Sequence, residues 1–293
     1  VIDSAKAIGC GYYYDGPVWN FFEAKASPQK TLPVGVILTI AAAGSEMSNS
    51  MVITKEEGLV KRGINNNIVR PLFAVLNPEL TYTLPPYQTA CGIVDILMHT
   101  IERYFTNVKD VELTDLLAEG LMKSVIEAGK RVMRDPYDYE ARATLMWASS
   151  LSHNDLTGAG RQSDFASHKI ELELSGMYDV AHGAGLAVIF PAWAQYVYQH
   201  NPSLFAQFAV RVFHCPMNYT NPIKSAQAGI RQCQEFFSSL GMPVTMAELG
   251  VPNDKYEEMA DKCTWGNTRK IGNFVELDKN DIIEIYKLAE KRY

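Results

Sequence analysis

The chain has 293 residues, of which 47% are hydrophobic and 20% are charged, a composition typical of globular proteins and unlike that of disordered chains. The formal net charge of −6, without a local cluster of lysine and arginine, argues against a nucleic-acid-binding protein. The most apolar stretch, residues 183–193, is shorter than the roughly 20 residues that a membrane-spanning helix needs, so we expect no membrane partner.

The cysteines are few and scattered, at positions 10, 91, 215, 233 and 263. An odd number without a Cys-x-x-Cys pair argues against a disulfide framework and against a thiolate zinc site. This pattern is typical of a reducing compartment, and the first residues show no signal-peptide pattern, so we expect a cytoplasmic location.

The first 85 residues mix helical and strand-like segments, which predicts an α/β region. A short helix is expected over residues 2–8, with Asp3 in its first turn and glycines closing it. Short apolar runs predict strands at residues 33–39, 51–54 and 72–76. The charged, Asn-rich stretch 55–67 between the last two runs is expected to be a loop.

From residue 86 onward, apolar residues recur at helical spacing, which predicts an all-α region. Helices are expected over residues 89–104, 110–134, 138–152, 167–174, 186–198, 203–213, 222–240, 245–249, 254–262 and 281–292. Pro191 lies inside one of them and should bend or break it. The change of pattern predicts two domains, residues 1–85 and 86–293, without a flexible linker.

Candidate metal ligands lie in the helical region. Asp95 and His99 are four residues apart on one predicted helix, so their side chains share a face and could reach one metal ion. The same pair could instead be a buried Asp–His hydrogen bond. His168 near one helix start and His182 at another extend the set, and one carboxylate with three imidazoles suits Fe²⁺ or Zn²⁺.

Three segments carry a resemblance to a known family. Asp95-x3-His99, then His168-Lys-Ile-Glu-Leu-Glu-Leu-Ser, then Tyr178-Asp-Val-Ala-His182-Gly-Ala-Gly-Leu-Ala, resemble the iron-dependent (group III) alcohol dehydrogenases, in particular the butanol dehydrogenase-like branch. Upstream, residues 1–6 and 39–46 resemble segments of the same family, so the resemblance covers essentially the whole chain in order.

The resemblance implies a dehydroquinate synthase-like architecture, in which a partial, Rossmann-like α/β domain that binds NAD(P) precedes an all-α metal-binding domain. It implies a metal-dependent oxidoreductase that transfers a hydride between NAD(P) and a primary alcohol or aldehyde, and a homodimer. The metal positions that match the family are Asp95, His99, His168 and His182.

The cofactor positions that match the family lie in the first domain. They are Asp3 near the pyrophosphate, Thr39 and Ser45 near the nicotinamide ribose, and Lys61 near the phosphates. Simpler roles stay open, since Ser45 and Glu46 could cap a helix and Lys61 could be a solvated lysine on a surface loop.

Three departures from the family pattern affect the prediction. The chain begins just after the expected place of the family's Gly-Gly-Gly-Ser phosphate loop, so we expect it to lack the N-terminal segment and to bind the cofactor weakly. Leu172 replaces a histidine associated with proton transfer, and Ala43 replaces a threonine that often bonds the cofactor. Two alternatives therefore remain, a truncated remnant that folds and binds metal without turnover, and a metal hydrolase.

Overall fold

The computed structural model describes all residues, 1–293. The N-terminal part contains two helices and four short strands. The helices are α1 (Ile2–Gly11) and α2 (Trp19–Phe22), and the strands are β1 (Gly35–Ile37), β2 (Ser50–Lys55), β3 (Val60–Asn65) and β4 (Phe73–Val75). The three predicted strands are therefore confirmed, two of them shorter and one longer than predicted, with bounds that differ by one or two residues.

The four strands form two separate pairs. Strands β1 and β4 lie parallel, with Val36 opposite Ala74. Strands β2 and β3 form an antiparallel hairpin, with Met51 opposite Ile64. The prediction of a loop over residues 55–67 was wrong because it missed β3. The strand is only partly buried, so its polar side chains hide the alternation that reveals a strand with one buried face.

The rest of the chain is helical. Its helices are α3 (Pro86–Tyr104), α4 (Glu112–Arg134), α5 (Tyr139–Ser152), α6 (Ala166–Tyr178), α7 (His182–Val197), α8 (Pro202–Phe213), α9 (Pro222–Ser239), α10 (Met246–Leu249), α11 (Tyr256–Cys263) and α12 (Lys279–Leu288). All ten predicted helices are present. Helix α7 continues through Pro191, so the proline does not break it.

Helix α3 is the centre of the fold. It is buried from Thr89 to Tyr104 and packs against α4, α5 and α7. The core around it is a single cluster of 57 buried apolar residues that extends through the helical part. A polar side chain on α3 is therefore either partnered within the protein or part of a site, because burying it without a partner is costly.

Two glycines set how closely other segments approach α3. A Cβ at Gly92 would lie 2.1 Å from the carbonyl oxygen of Ala41, and a Cβ at Gly183 would lie 2.1 Å from that of Cys91. Both contacts are far inside van der Waals distance. The first turn of α7 and the loop after β1 thus lie directly against α3.

The N-terminal part packs on α5 as well as on α3. Val36 and Leu38 are buried together with Met146 of α5. Gly44 adopts a φ of +62°, and a Cβ at this position would clash with the carbonyl oxygen of Ser149 on α5. Helix α3 begins at Pro86, and the domain boundary near residue 85 stays a prediction. No helix in the structure is both long and apolar enough to cross a membrane.

Candidate metal centre and cofactor cleft

The candidate metal centre begins with two residues one turn apart on α3. Asp95 and His99 are 5% and 4% exposed, respectively. The Nδ1 atom of His99 donates a hydrogen bond to the carbonyl oxygen of Asp95, at 2.8 Å. This bond leaves Nε2 as the ring nitrogen with a free lone pair, which is the form that ligates a metal.

His168 on α6 and His182 at the first residue of α7 complete the centre. The ligand atoms of Asp95, His99 and His168 all lie within 4.8 Å of one another. The Oδ1 atom of Asp95 lies 3.7 Å from Nε2 of His168 and 3.8 Å from Nε2 of His182. The structure therefore brings together all four residues that the resemblance assigned to the metal.

The residues present fit a divalent cation. Oδ1 of Asp95 and Nε2 of His168 are both buried and have no hydrogen-bond partner. They are too far apart to bond each other, but atoms that share a cation at about 2.0–2.2 Å are themselves about 3–4 Å apart. A cation held between them would satisfy both atoms and remove the cost of burying them unpaired.

Two glutamates that the sequence analysis missed hold the histidine rings. Glu102 accepts a hydrogen bond from Nδ1 of His168, and Glu171 accepts one from Nδ1 of His182. Both glutamates are fully buried. Each Nδ1 is thus committed to a carboxylate, which directs Nε2 toward the metal position and makes the imidazole a stronger ligand.

The missed glutamates had a signal in the sequence. Glu102 follows His99 by three residues and Glu171 follows His168 by three residues, so the chain contains the spacing His-x-x-Glu twice. Each glutamate bonds a histidine of a later helix rather than the one three residues before it, since Glu102 on α3 bonds His168 on α6 and Glu171 on α6 bonds His182 on α7. Gly185 makes room for this arrangement, since a Cβ there would lie 2.5 Å from Oε1 of Glu171.

The electrostatics of the centre favour a cation. Burial alone would raise the pKa of Asp95, but the facing histidines hold it well below its ordinary value. Burial alone would lower the pKa of His168, but Glu102 raises it to about 9. The centre contains three buried carboxylates, those of Asp95, Glu102 and Glu171, beside three imidazoles. A divalent cation would balance the negative charge of this arrangement.

A cleft of about 620 Å³ joins the metal centre to the N-terminal part. Asp3, Ser45 and Lys61 line its far wall, whereas Thr39 is exposed and does not line it. The carboxylate of Asp3 accepts hydrogen bonds from the Ser45 hydroxyl and from the Val52 amide, so it ties α1 to β2. Lys61 lies on β3 rather than on a loop.

The helix-capping alternative for Ser45 and Glu46 was wrong. No helix begins there, and Glu46 is buried and accepts a hydrogen bond from the hydroxyl of Ser150 at 2.6 Å. Glu46 thus holds the loop after β1 against α5, and Ser45 holds the same loop against Asp3 of α1.

Other cleft residues were missed or only partly anticipated. Leu172, the residue in place of a family histidine, lines the cleft. His153 lies with its ring centroid 4.1 Å from that of His99, and its Nδ1 donates to the Ala43 carbonyl oxygen at 2.7 Å. Burial lowers the pKa of His153 well below its ordinary value, so this imidazole is neutral at physiological pH.

Comparison with known families agrees with this geometry. Residues 89–290 match the family model described as the C-terminal part of the Fe-containing alcohol dehydrogenases. Residues 1–78 match the model described as iron-containing alcohol dehydrogenase. The two matches together span nearly the whole chain.

Individual relatives extend the comparison. The chain is 38% identical to NADH-dependent butanol dehydrogenase A of Clostridium acetobutylicum, covering 98% of this chain and 74% of the relative. It is 30% identical to the NADPH-dependent aldehyde reductase YqhD of Escherichia coli, covering 99% and 75%. The crystal structure of NADH-dependent butanol dehydrogenase A from Thermotoga maritima superposes with a TM-score of 0.95 at 35% identity, covering 99% of this chain and 74% of that chain.

Proposed function

The chain belongs to the iron-containing alcohol dehydrogenase family, and from that premise we propose how its residues perform the family's chemistry. The function is metal-dependent transfer of a hydride between NAD(P) and a primary alcohol or aldehyde. In the reducing direction, NAD(P)H gives a hydride to the carbonyl carbon and a proton goes to the carbonyl oxygen, which yields the alcohol and NAD(P)⁺.

The observation that carries the site assignment is the pair of buried, unpartnered atoms, Oδ1 of Asp95 and Nε2 of His168. We assign metal binding to Asp95, His99, His168 and His182. A divalent ion bound there supplies Lewis acidity to the substrate oxygen. The donor set accepts Fe²⁺ or Zn²⁺, and the description of the family favours Fe²⁺.

The chain's own groups prepare this site before any ligand arrives. Glu102 and Glu171 hold the Nδ1 hydrogens of His168 and His182, so neither ring can turn its Nε2 away. Asp95 and His99 are almost fully buried, which keeps competing water from their side of the site. His182 has the most exposed side chain of the four ligands, at 26%, and lies at the open side.

The opposite wall of the cleft is assigned to the cofactor. We propose that Ser45 contacts the nicotinamide ribose, that Asp3 lies near the pyrophosphate, and that Lys61 pairs with a phosphate. Support comes from Asp3, Ser45 and Lys61 lining the same cleft as the metal ligands. A hydrolase would leave that polar wall without a role, so the geometry favours the oxidoreductase.

Metal analysis with a matched variant tests the proposal. The purified protein should bind Fe²⁺ or Zn²⁺, gain melting temperature on reconstitution with either, and oxidise NAD(P)H when butanal is added. Asp95→Asn should lose most of the bound metal and the activity. His214→Asn, a histidine change outside the cleft at a positive φ that asparagine tolerates, should change neither.

Two results would contradict the assignment of Asp95 as a metal ligand. If neither metal binds or raises the melting temperature, or if Asp95→Asn retains the metal, Asp95 is not a ligand. Separate reconstitution with each ion, followed by turnover measurements, distinguishes Fe²⁺ from Zn²⁺.

Assembly and location complete the proposal. We propose a homodimer on the basis of the family resemblance, and light scattering should give twice the chain mass of 32.7 kDa. We propose a cytoplasmic location because all five cysteines are buried free thiols, which suits a reducing compartment. A monomer in light scattering, or fractionation with another compartment, would contradict these two statements.

A further inference from the structure

Arg103 is a buried cation with unused hydrogen-bond donors. Its side chain is 4% exposed. The guanidinium donates one hydrogen bond, from Nη1 to the His99 carbonyl oxygen at 2.7 Å. An arginine offers five N–H donors, and burying a charge without partners is costly. The remaining donors are therefore available to a ligand.

The guanidinium lies in the same cleft as the metal centre. Arg103 follows His99 by one turn of α3, and both line the cleft. The Phe165 ring lies against both Arg103 and His168. The Cζ atom of Arg103 is 4.7 Å from the centroid of that ring, and the His168 centroid is 5.2 Å from it. A substrate whose oxygen faces the histidines would thus extend its other end toward Arg103.

The nearby carboxylate leaves Arg103 only partly neutralised. Oδ1 of Asp155 is 3.8 Å from Nη2 of Arg103, too far for a hydrogen bond. The other oxygen of Asp155 pairs with Arg70 at 2.7 Å, and the Asp155 side chain is 56% exposed. One solvated carboxylate is shared between two arginines, and neither of its contacts uses a hydrogen-bond donor of Arg103.

Most of the residues that line the cleft have polar side chains. Only four of its 21 lining residues are apolar. Burial lowers the pKa of Arg103 to about 10, which leaves it cationic at neutral pH. The neutral ring of His153 and the hydroxyl of Ser163 add further polar groups to the lining. A ligand carboxylate at Arg103 would therefore lie among polar side chains.

We propose that Arg103 binds a carboxylate at the end of the substrate remote from the carbonyl, so that the preferred substrates are short ω-oxo acids and the corresponding ω-hydroxy acids. This inference rests on the proposed function of the same site. Arg103 follows His99 by one helical turn, about 5.4 Å, and a four-carbon chain spans about 3.8 Å between its ends, so a four-carbon substrate is used for the test.

The reaction on such a substrate balances in the same way as the parent reaction. For 4-oxobutanoate, NAD(P)H gives its hydride to the aldehyde carbon and a proton goes to the aldehyde oxygen. The products are 4-hydroxybutanoate and NAD(P)⁺, and the carboxylate bound by Arg103 is unchanged.

The test compares kcat/KM for 4-oxobutanoate with kcat/KM for butanal. In the native protein we expect the ratio to favour 4-oxobutanoate. Arg103→Met should lower it by about 10- to 100-fold, the effect of losing a hydrogen bond to a charged group. Lys169→Met removes the same charge from the same cleft and should change the ratio by no more than about threefold.

Two further measurements keep the test decisive if Arg103→Met does not fold. Asp155→Asn removes the competing carboxylate and should raise the ratio, and asparagine tolerates the positive φ at this position. Ligand-observed NMR should detect 4-hydroxybutanoate, but not butan-1-ol at equal concentration, bound to the purified protein.

The outcomes separate this inference from the proposed function. Reduction of neither aldehyde would contradict the proposed function, while the NMR comparison would still test Arg103. Equal turnover of both aldehydes, or equal losses in the Arg103 and Lys169 variants, would overturn the carboxylate assignment. A raised KM for NAD(P)H in Arg103→Met with an unchanged substrate ratio would assign the arginine to the cofactor instead.

Discussion

Replacing Glu102 by glutamine tests whether a buried carboxylate sets the affinity of the metal centre. The side chain keeps its shape, but one of its two oxygens becomes an NH₂ group. Glu102 accepts hydrogen bonds from Nδ1 of His168 and from the Ser167 amide, the latter at 2.6 Å. A glutamine can accept only one of them with its oxygen, so its NH₂ group faces the other donor.

The structure sets the size of the effect. Losing one hydrogen bond to a charged acceptor costs about 1.5–3 kcal/mol. Each 1.4 kcal/mol is a tenfold change in an equilibrium constant, so we expect metal affinity to fall by about 10- to 100-fold. Changes to groups that hold a ligating histidine typically cost a similar amount.

The assay is competition for Zn²⁺ or Fe²⁺ against a chelator of known affinity, with the melting temperature measured alongside. Glu119→Gln is the matched control, because Glu119 is also buried and accepts a hydrogen bond from the hydroxyl of Tyr104 at 2.8 Å, away from the centre. It should lose stability while keeping its metal affinity. If Glu102→Gln binds metal within twofold of the native protein, the positioning role assigned to Glu102 is wrong.

Two other predictions concern packing and pH. Gly183→Ala would place a Cβ 2.1 Å from a backbone oxygen and should destabilise the fold by about 1–3 kcal/mol and displace His182, whereas Gly120→Ala in open space on α4 should stabilise by up to about 1 kcal/mol in chemical denaturation. Equal behaviour of the two variants would contradict the close approach of α7 to α3. Burial raises the pKa of Asp164 to about 6, so the folded state favours its protonated form, and its contribution to stability is full below about pH 4 and lost as pH rises through 6. The stability difference between the native protein and Asp164→Asn should therefore shrink by about 2–3 kcal/mol from pH 4 to pH 7, and a constant difference would refute the assignment.

Much of the candidate site could be predicted from the sequence because its signals are local. The spacing of Asp95 and His99 places two donors on one helix face whatever the rest of the fold does. His168 and His182 mark helix starts, and the ordered motifs carry the family resemblance. The periodicity of apolar residues likewise predicted the ten helices, since a buried helix face repeats in the sequence itself.

Prediction from the sequence failed where the role of a residue depends on a partner far away in the chain. The hairpin strand β3 was read as a loop because its polar side chains, such as Arg62, bond to helices far along the chain. Arg62 pairs with Glu173 at 2.8 Å, a residue 111 positions away. Thr39 and Ser45 are close in sequence, yet only Ser45 lines the cleft.

The sequence by itself determined which atoms could bind a metal and which segments would be helices, because both follow from residue type and short-range spacing. Only the tertiary structure decided which ligand atoms keep a free lone pair and which charged side chains keep N–H groups without a partner. Glu102 bonds His168, 66 positions away, while Arg103, the next residue, keeps N–H groups without a partner. Such differences arise because burial removes water as a partner, so the packing of distant helices determines which polar groups are satisfied.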